Sequence, residues 1–448
     1  MGRLLRPALL GALALILAGA MTLTAAVALG DPPDGRAAGP QTGGAGGDAT
    51  SGVTAGSRTG ASAGSSITAL QQLLRRIPRD HRSWSALALA YVERARITAD
   101  PTYYPKAVRA VARAARLAPG DSVMLTARAS LEAARHEFSR ALRDADAAIE
   151  VNPYSALAWA IRADALTELG RYAEARRSAS RADDLDPGPS TFARLSYQAE
   201  LRGDLTEATR LMRLSLEAAT TSAASYAFAS FHLGELARTA GDLRAAKRHY
   251  DAALGADPTY TAALAGRARI AAARGNVAGA VRDYREAVGR LPLTEYVVEL
   301  ADLYRATGQP DLAAEQIAVA VASVDSEKAY GVRTYLETAQ LEADHGSPSV
   351  ALRAARAEWA VRQTVHTSDA LAWALHASGR DREALGYARR ATSLGTRDAR
   401  LLFHRGAIEA ALDTSGAART HLRAALQIDS GVAPLREQQV RGLLSGLR

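Results

Sequence analysis

A chain of 448 residues is too long for one hydrophobic core, which stops growing near ~250–300 residues, so it is either multidomain or a repeat array. Hydrophobic residues at 48% and charged residues at 23% mark it as globular, and the absence of cysteine excludes disulfides, thiolate metal sites, cysteine nucleophiles and a lipidated N-terminal cysteine. The net charge is +8, and only three of the 55 basic residues are lysines (Lys106, Lys247, Lys328).

The first 30 residues have the order of an export segment. Arg3 and Arg6 precede an uncharged run from Pro7 to Gly30. The strongly apolar part, Leu9 to Ala20, has the length of a signal-peptide core, and Ala26-Val27-Ala28 offers a small-x-small cleavage site. The whole uncharged run also reaches the ~20 residues that span a bilayer. Residues 1–30 are therefore expected to be a signal peptide or an N-terminal membrane anchor. Either way the two arginines hold the N-terminus inside and send the rest of the chain across the cytoplasmic membrane. The protein would be secreted, or anchored by that single helix with its C-terminal part outside.

Residues 31–66 are Gly, Ala, Ser, Thr, Pro and Asp with almost nothing large and apolar, the composition of a disordered linker. Gly60-Ala61-Ser62-Ala63-Gly64 inside it matches the G-x-S-x-G hydrolase pattern. It lacks the preceding strand and following helix that the chemistry needs.

Residues 67–80 are expected to form a capping helix, with Ile67, Leu70, Leu73, Leu74 and Ile77 on one face. From there the chain reads as helix after helix, punctuated by glycine or Asx-Pro. Pro119, Pro153 and Pro187 are spaced by 34 residues, as are Pro258 and Pro292. A period of 34 with paired helices is the signature of a solenoid. One unit runs Trp159, Ala163, Leu166, Gly170, Tyr172, Ala175, Ala179, Ala182, Pro187; another runs Leu264, Ala268, Gly275, Ala280, Tyr284, Ala287, Pro292.

On these residues the chain resembles a tetratricopeptide-repeat (TPR) protein, of the exported or membrane-anchored bacterial type. That family's unit is two antiparallel helices, A and B. The resemblance implies an all-α, right-handed superhelical solenoid of about ten TPR-like units over 81–430, closed by a C-terminal capping helix at 431–448. The capping helix would carry Arg436, Glu437, Gln438 and Arg441 on its outer face. Aligned this way, the first small position of helix B is alanine in all ten units: Ala107, Ala141, Ala175, Ala208, Ala246, Ala280, Ala313, Ala351, Ala384 and Ala418. The small position of helix A is Ala, Gly or Ser throughout. A larger side chain where the helices meet would overpack by ~1–3 kcal/mol. The departures are specific: extra residues around Pro101 to Pro105, and Gln363, Thr396 and Ser430 at closing positions where earlier units have proline.

In the family, helix A lines a concave groove in which peptides dock. The matching positions make Tyr197, Phe228, Phe231, Glu235, Arg238, Arg269 and Trp373 candidate protein-binding residues: aromatics and arginines are the usual hot spots, and an apolar groove of mixed charge suits an extended peptide or an amphipathic helix. The lysines and asparagine that clamp a C-terminal carboxylate in one branch of the family are absent here. Arg82, Ser85, Leu89, Thr126 and Ser130 stand at those places.

Charge is concentrated in the first unit. Residues 67–120 hold ten basic and three acidic residues, while 121–448 hold 41 of each. Lys106, Arg109, Arg113 and Arg116 share one helix face, which suggests an alternative function: a surface module whose first repeat docks on anionic membrane lipid or envelope polymer. Nucleic acid would feel the same field but is not an expected partner of an exported chain. No catalytic constellation is visible. The nine histidines are scattered, His136-Glu137 lacks the second histidine of a zinc helix, and glycine never precedes lysine in a phosphate loop. The nearest thing to a site is His366 and His376 with Asp369. Neither metal nor cofactor is expected, and the chain reads as a scaffold rather than an enzyme.

Overall fold

The computed structural model describes residues 58–219 and 222–447. The expected export segment, 1–30, and most of the expected linker lie outside them. Helix α1 (Arg58–Arg76) is followed by ten helix pairs. Units one to five are α2 (His81–Thr98) with α3 (Tyr103–Leu117), α4 (Ser122–Ala134) with α5 (Phe138–Val151), α6 (Ala156–Glu168) with α7 (Tyr172–Leu185), α8 (Pro189–Glu200) with α9 (Leu205–Ala218), and α10 (Ala223–Thr239) with α11 (Leu243–Ala256). Units six to ten are α12 (Thr261–Ala273) with α13 (Val277–Arg290), α14 (Thr294–Ala306) with α15 (Pro310–Ala329), α16 (Tyr335–His345) with α17 (Pro348–Trp359), α18 (Val365–Ala377) with α19 (Asp381–Ala391), and α20 (Ala399–Ala411) with α21 (Ser415–Asp429). Helix α22 (Pro434–Gly446) closes the array. Among the described residues there is no strand.

Short polar side chains start many of these helices. Asp80, Asp121, Ser155, Asp204, Ser222, Asp242, Asn276, Thr364 and Asp398 each accept from a backbone N–H of the first turn, satisfying donors that have no partner within the helix. Within each pair the two small columns meet. The ten helix-B alanines are between 0 and 1% exposed. Gly234 and Gly266 flank the ring of the fully buried Tyr250, and a Cβ on Gly266 would lie 2.7 Å from that ring. This ladder of close approaches extends through units eight to ten as regularly as through the first seven.

Two ends differ from expectation. Helix α1 starts at Arg58, inside the expected linker, because the stretch before Ile67 has no proline and a helix once nucleated gains a hydrogen bond per added residue. Its Ile67, Leu70 and Leu74 are buried on unit one, while Ile77 lies past the helix end and is exposed. At the other end Gln438 is exposed as expected, but Arg436 lines the interior instead of the outer face. Helix α22 turns across the superhelix onto α14. Gln438 donates to the carbonyl of Ala306, and Arg436 pairs with Asp429.

The array also closes on itself. The turn inside unit two touches the loop after unit seven: Arg135 Nε donates to Gly331 O at 3.0 Å, and His136 Nδ1 lies 2.8 Å from Arg333 O. The turn of unit three meets the loop after unit eight, where Val365 N donates to Tyr172 Oη at 2.9 Å and the buried Arg362 pairs with both Glu168 and Glu358. The turn of unit four meets the loop after unit nine, where Thr396 Oγ1 donates to Leu201 O at 2.5 Å. In unit five, Arg238 pairs with Asp429 at 2.8 Å. Units two to five thus rest on the chain five units further on, and a seam joins two superhelical turns.

The seam explains the lost prolines. Gln363, Thr396 and Ser430 belong to three of the stretches that rest on earlier units. The carbonyl of Gln363 sits against Gly170, and a hydroxyl is needed at Thr396. Helix α15, at 20 residues against 14 for α13, likewise runs on to bring Gly331 over Arg135.

Candidate functional site

Winding the array into two turns converts the concave groove into a partly open channel. A cavity of about 410 Å³ lies on the A-helix side of units four to ten, with α22 as its far wall. Five of the seven sequence-predicted groove residues line it: Tyr197, Phe231, Glu235, Arg238 and Arg269. Phe231 is only 3% exposed and packs on Tyr250 and Tyr260, so most of its surface serves the ladder. Phe228 is half-buried against His232. Trp373 stacks on His404 and touches Phe403, both lining residues, and donates its indole N–H to Asp344 Oδ1 at 2.6 Å.

The channel is charged to a degree that its groove residues alone did not indicate. Nine carboxylates and six guanidiniums line it. Arg269, 8% exposed, reaches Glu235 at 3.1 Å, Glu295 at 2.9 Å and Glu299 at 2.9 Å. Glu235 also accepts from Tyr250 Oη at 2.5 Å and from Arg238 at 3.0 Å. Burial alone would raise its carboxyl, yet Arg238 and Arg269 hold it down at about 2. Where no guanidinium is committed the opposite happens. Burial, reinforced by Glu235, pushes Glu200 up to about 7. Burial, reinforced by Asp344, pushes Asp302 up to about 7. Glu295 rises to about 7 through burial even with Arg269 beside it. Burial also lowers His232 and His366 to about 4, so both are neutral at pH 7.

Several polar atoms in this channel are buried without a hydrogen-bond partner: Thr294 Oγ1, Glu295 Oε2, Asp302 Oδ1, Glu337 Oε2, Gln340 Nε2, both ring nitrogens of His345, His366 Nδ1 and Arg400 Nε. Buried polar atoms are normally paired, so their gathering in one cavity marks a place built to receive polar groups. The sequence places Asp302 among the groove positions but not Glu337, Asp344 and Arg400, which join it only when units seven to ten and α22 face units four to six across the channel.

The histidine arrangement weighed in the sequence does not assemble. Asp369 pairs with His404 at 2.9 Å, and His376 with Asp381. Among the described residues no group of side chains could hold a metal ion, and no helix is long and apolar enough to cross a membrane. The basic side chains of α3 are placed on the first pair: Arg109 and Arg116 are exposed, Arg113 is half-buried, and Lys106 Nζ lies 4.1 Å from the centre of the Tyr103 ring. They are far in sequence from the channel-lining residues, none of which comes from units one to three.

The sequence model of a family described as "Tetratricopeptide repeat" matches residues 126–188 and 231–293, stretches that fall on the helix pairs laid out above. The chain carries tetratricopeptide repeats over these residues. TPR-type helix pairs fill the array from α2 to α21, and the ladder of small residues is their shared packing. Among solved structures, the human IFIT1 dimer with PPP-AAAA is 15% identical with a TM-score of 0.45, covering 82% of this chain and 86% of that one. The pilF protein of Pseudomonas aeruginosa is 16% identical with a TM-score of 0.37, covering 48% and 94%. PilW, a type IV pilus biogenesis factor, is 18% identical with a TM-score of 0.39, covering 46% and 97%. No curated protein matches. TPR proteins are protein-interaction scaffolds, and this chain presents its A helices to the channel.

Proposed function

We propose that this protein is a non-catalytic scaffold, acting outside the cytoplasmic membrane, that holds a segment of a partner protein in its channel. The observation that carries the reading is the channel itself, with its buried donors and acceptors lacking partners on the face that TPR arrays use for recognition. Both kinds of atom are present, which suits a peptide backbone. The order of charge and apolar run at residues 1–30 supports the address.

The test is site-specific photocrosslinking in native cells, with a photoreactive residue at Gln340 in the channel or at Arg109 on the outside of the first pair. A partner peptide crosslinked from position 340, and mapped to one sequence, supports the scaffold. Crosslinks from position 109 alone, to lipid or polysaccharide, would instead favour the basic first unit as the functional surface.

A further inference from the structure

Where α14 meets α22 and the C-terminal end of α16, an acidic group and a histidine are left without hydrogen bonds. Asp302 Oδ1 is buried without a hydrogen-bond partner. The side chain of His345 is 3% exposed, and neither ring nitrogen has a hydrogen-bond partner. Its Nε2 stands 3.7 Å from Asp302 Oδ1, too far to satisfy either. Asp344, on the same helix as His345, has Oδ1 occupied by the Trp373 indole and adds its negative charge to Asp302.

The charged groups that act most on Asp302 are Glu299 and Arg305 on its own helix, Asp344 on α16 beside His345, and Arg436 on α22. Arg436 is engaged with Asp429 instead. Burial, reinforced by Asp344, still holds the Asp302 carboxyl far above its ordinary range, and Arg305 lowers it only in part. The place is reachable, since the Asp302 side chain as a whole is 36% exposed.

Elsewhere in the lining both kinds of atom occur. Gln340 Nε2, Thr294 Oγ1 and Arg400 Nε offer donors, and Glu295 Oε2 and Glu337 Oε2 offer acceptors. Donors and acceptors together in one cavity of about 410 Å³ can pair with the carbonyls and N–H groups of an extended main chain.

We infer that the channel takes an extended peptide segment carrying a lysine or arginine, whose cationic group seats between Asp302 and Asp344 beside His345. This deepens the scaffold reading and rests on it. An ammonium or guanidinium there gives Asp302 the missing partner in a charge-assisted hydrogen bond. An acidic side chain at that point would meet the carboxylates of Asp302, Asp344 and Glu299.

The probe is a set of acetylated, amidated heptapeptide pools, random at six positions. The central residue is fixed as arginine, lysine, citrulline, leucine or glutamate. Retention on the immobilised full-length protein is read by mass spectrometry, with the affinities of the best single peptides then measured in solution. The arginine and lysine pools are expected to be retained. Replacing arginine by its neutral isostere citrulline in a retained peptide is expected to weaken binding at least tenfold. Asp302→Asn should remove that preference while leaving the citrulline peptide unchanged, and its circular dichroism and melting temperature report that it is folded. Equal retention of the arginine, citrulline and leucine pools would overturn the cation site and leave the scaffold standing. Preferred retention of the glutamate pool, or a cation preference that survives both Asp302→Asn and Asp344→Asn, would also overturn it. Retention of no pool would overturn both readings.

Discussion

The ladder inside each helix pair and the seam between the two superhelical turns hold the same molecule together in opposite ways. The ladder is apolar, made of alanines and glycines, and repeated ten times. Its alanines are 0–1% exposed and no one of them differs much from the next. The seam is polar and irregular, and each rung is unique: His136 to the Arg333 carbonyl, Glu168 and Glu358 to Arg362, Thr396 to Leu201, Arg238 to Asp429. Ladder contacts join neighbours, as in any array whose stability is close to a sum of nearest-neighbour terms. Seam contacts join units five apart, so this solenoid is no longer one-dimensional, and damage at one seam rung reaches units that are not neighbours.

Arg362 gives the sharpest test of that contrast. It is 6% exposed and pairs with two buried carboxyl groups. Arg362→Ala is expected to cost about 3–5 kcal/mol, the range for leaving a buried charge uncompensated. Urea unfolding should also lose its single transition, with units one to three and eight to ten separating.

The turn glycines give the next test, because the same residue sits in both environments. Gly203 and Gly275 share a left-handed backbone, φ +72 and φ +73. A Cβ at Gly275 would meet nothing within 4 Å, whereas at Gly203 it would collide with the carbonyl oxygen of Gly395 across the seam. Gly275→Ala should cost about 1–2 kcal/mol for the left-handed strain alone. Gly203→Ala should exceed it by about 1–3 kcal/mol of overpacking. Equal losses in thermal unfolding would mean that the seam yields freely.

The seam should also respond to pH where the ladder does not. Burial pushes Glu168 up to about 8, Arg362 opposing and Glu358 adding to the rise. Two carboxylates share one guanidinium, so one of them keeps a proton at neutral pH. A carboxyl raised in the folded state binds its proton more tightly there than in the unfolded chain. Its contribution is therefore present at low pH and lost as pH rises through about 8. The melting temperature of the native protein should fall between pH 6 and pH 9 by a few degrees more than that of Glu168→Gln. Parallel curves would place the proton elsewhere.

The smallest effect is expected on the outer surface. Glu207 pairs with Arg210 at 2.7 Å, but the two side chains are 39% and 57% exposed. Glu207→Ala should change stability by no more than about 1 kcal/mol, an amount that salt reduces further.

Much of the fold was legible in the residues. The 34-residue spacing of Pro119, Pro153 and Pro187 and the alanine column from Ala107 to Ala418 place all ten pairs, because their cause is a contact inside one unit. The groove was legible in part. Tyr197, Phe231, Glu235, Arg238 and Arg269 do line the channel, while Phe228 and Trp373 stand behind its wall. Gln363, Thr396 and Ser430 were visible as departures, but nothing local says what a missing proline is for. The answer lies on Gly170, Leu201 and the turn of unit five, nearly two hundred residues earlier.

What the sequence by itself determined, then, is the unit: two helices, their caps, the small residues where they touch, and the number of times they recur. Those features depend on contacts between residues less than one repeat apart, and such contacts leave a periodic mark. What only the tertiary structure decided is the winding. A small rotation between neighbouring pairs, added over five units, brings Arg362 onto Glu168 and Asp429 onto Arg238, and folds α22 over α14. No single pair reveals that sum. The channel, and the uncommitted carboxylate of Asp302 in its lining, exist because of it.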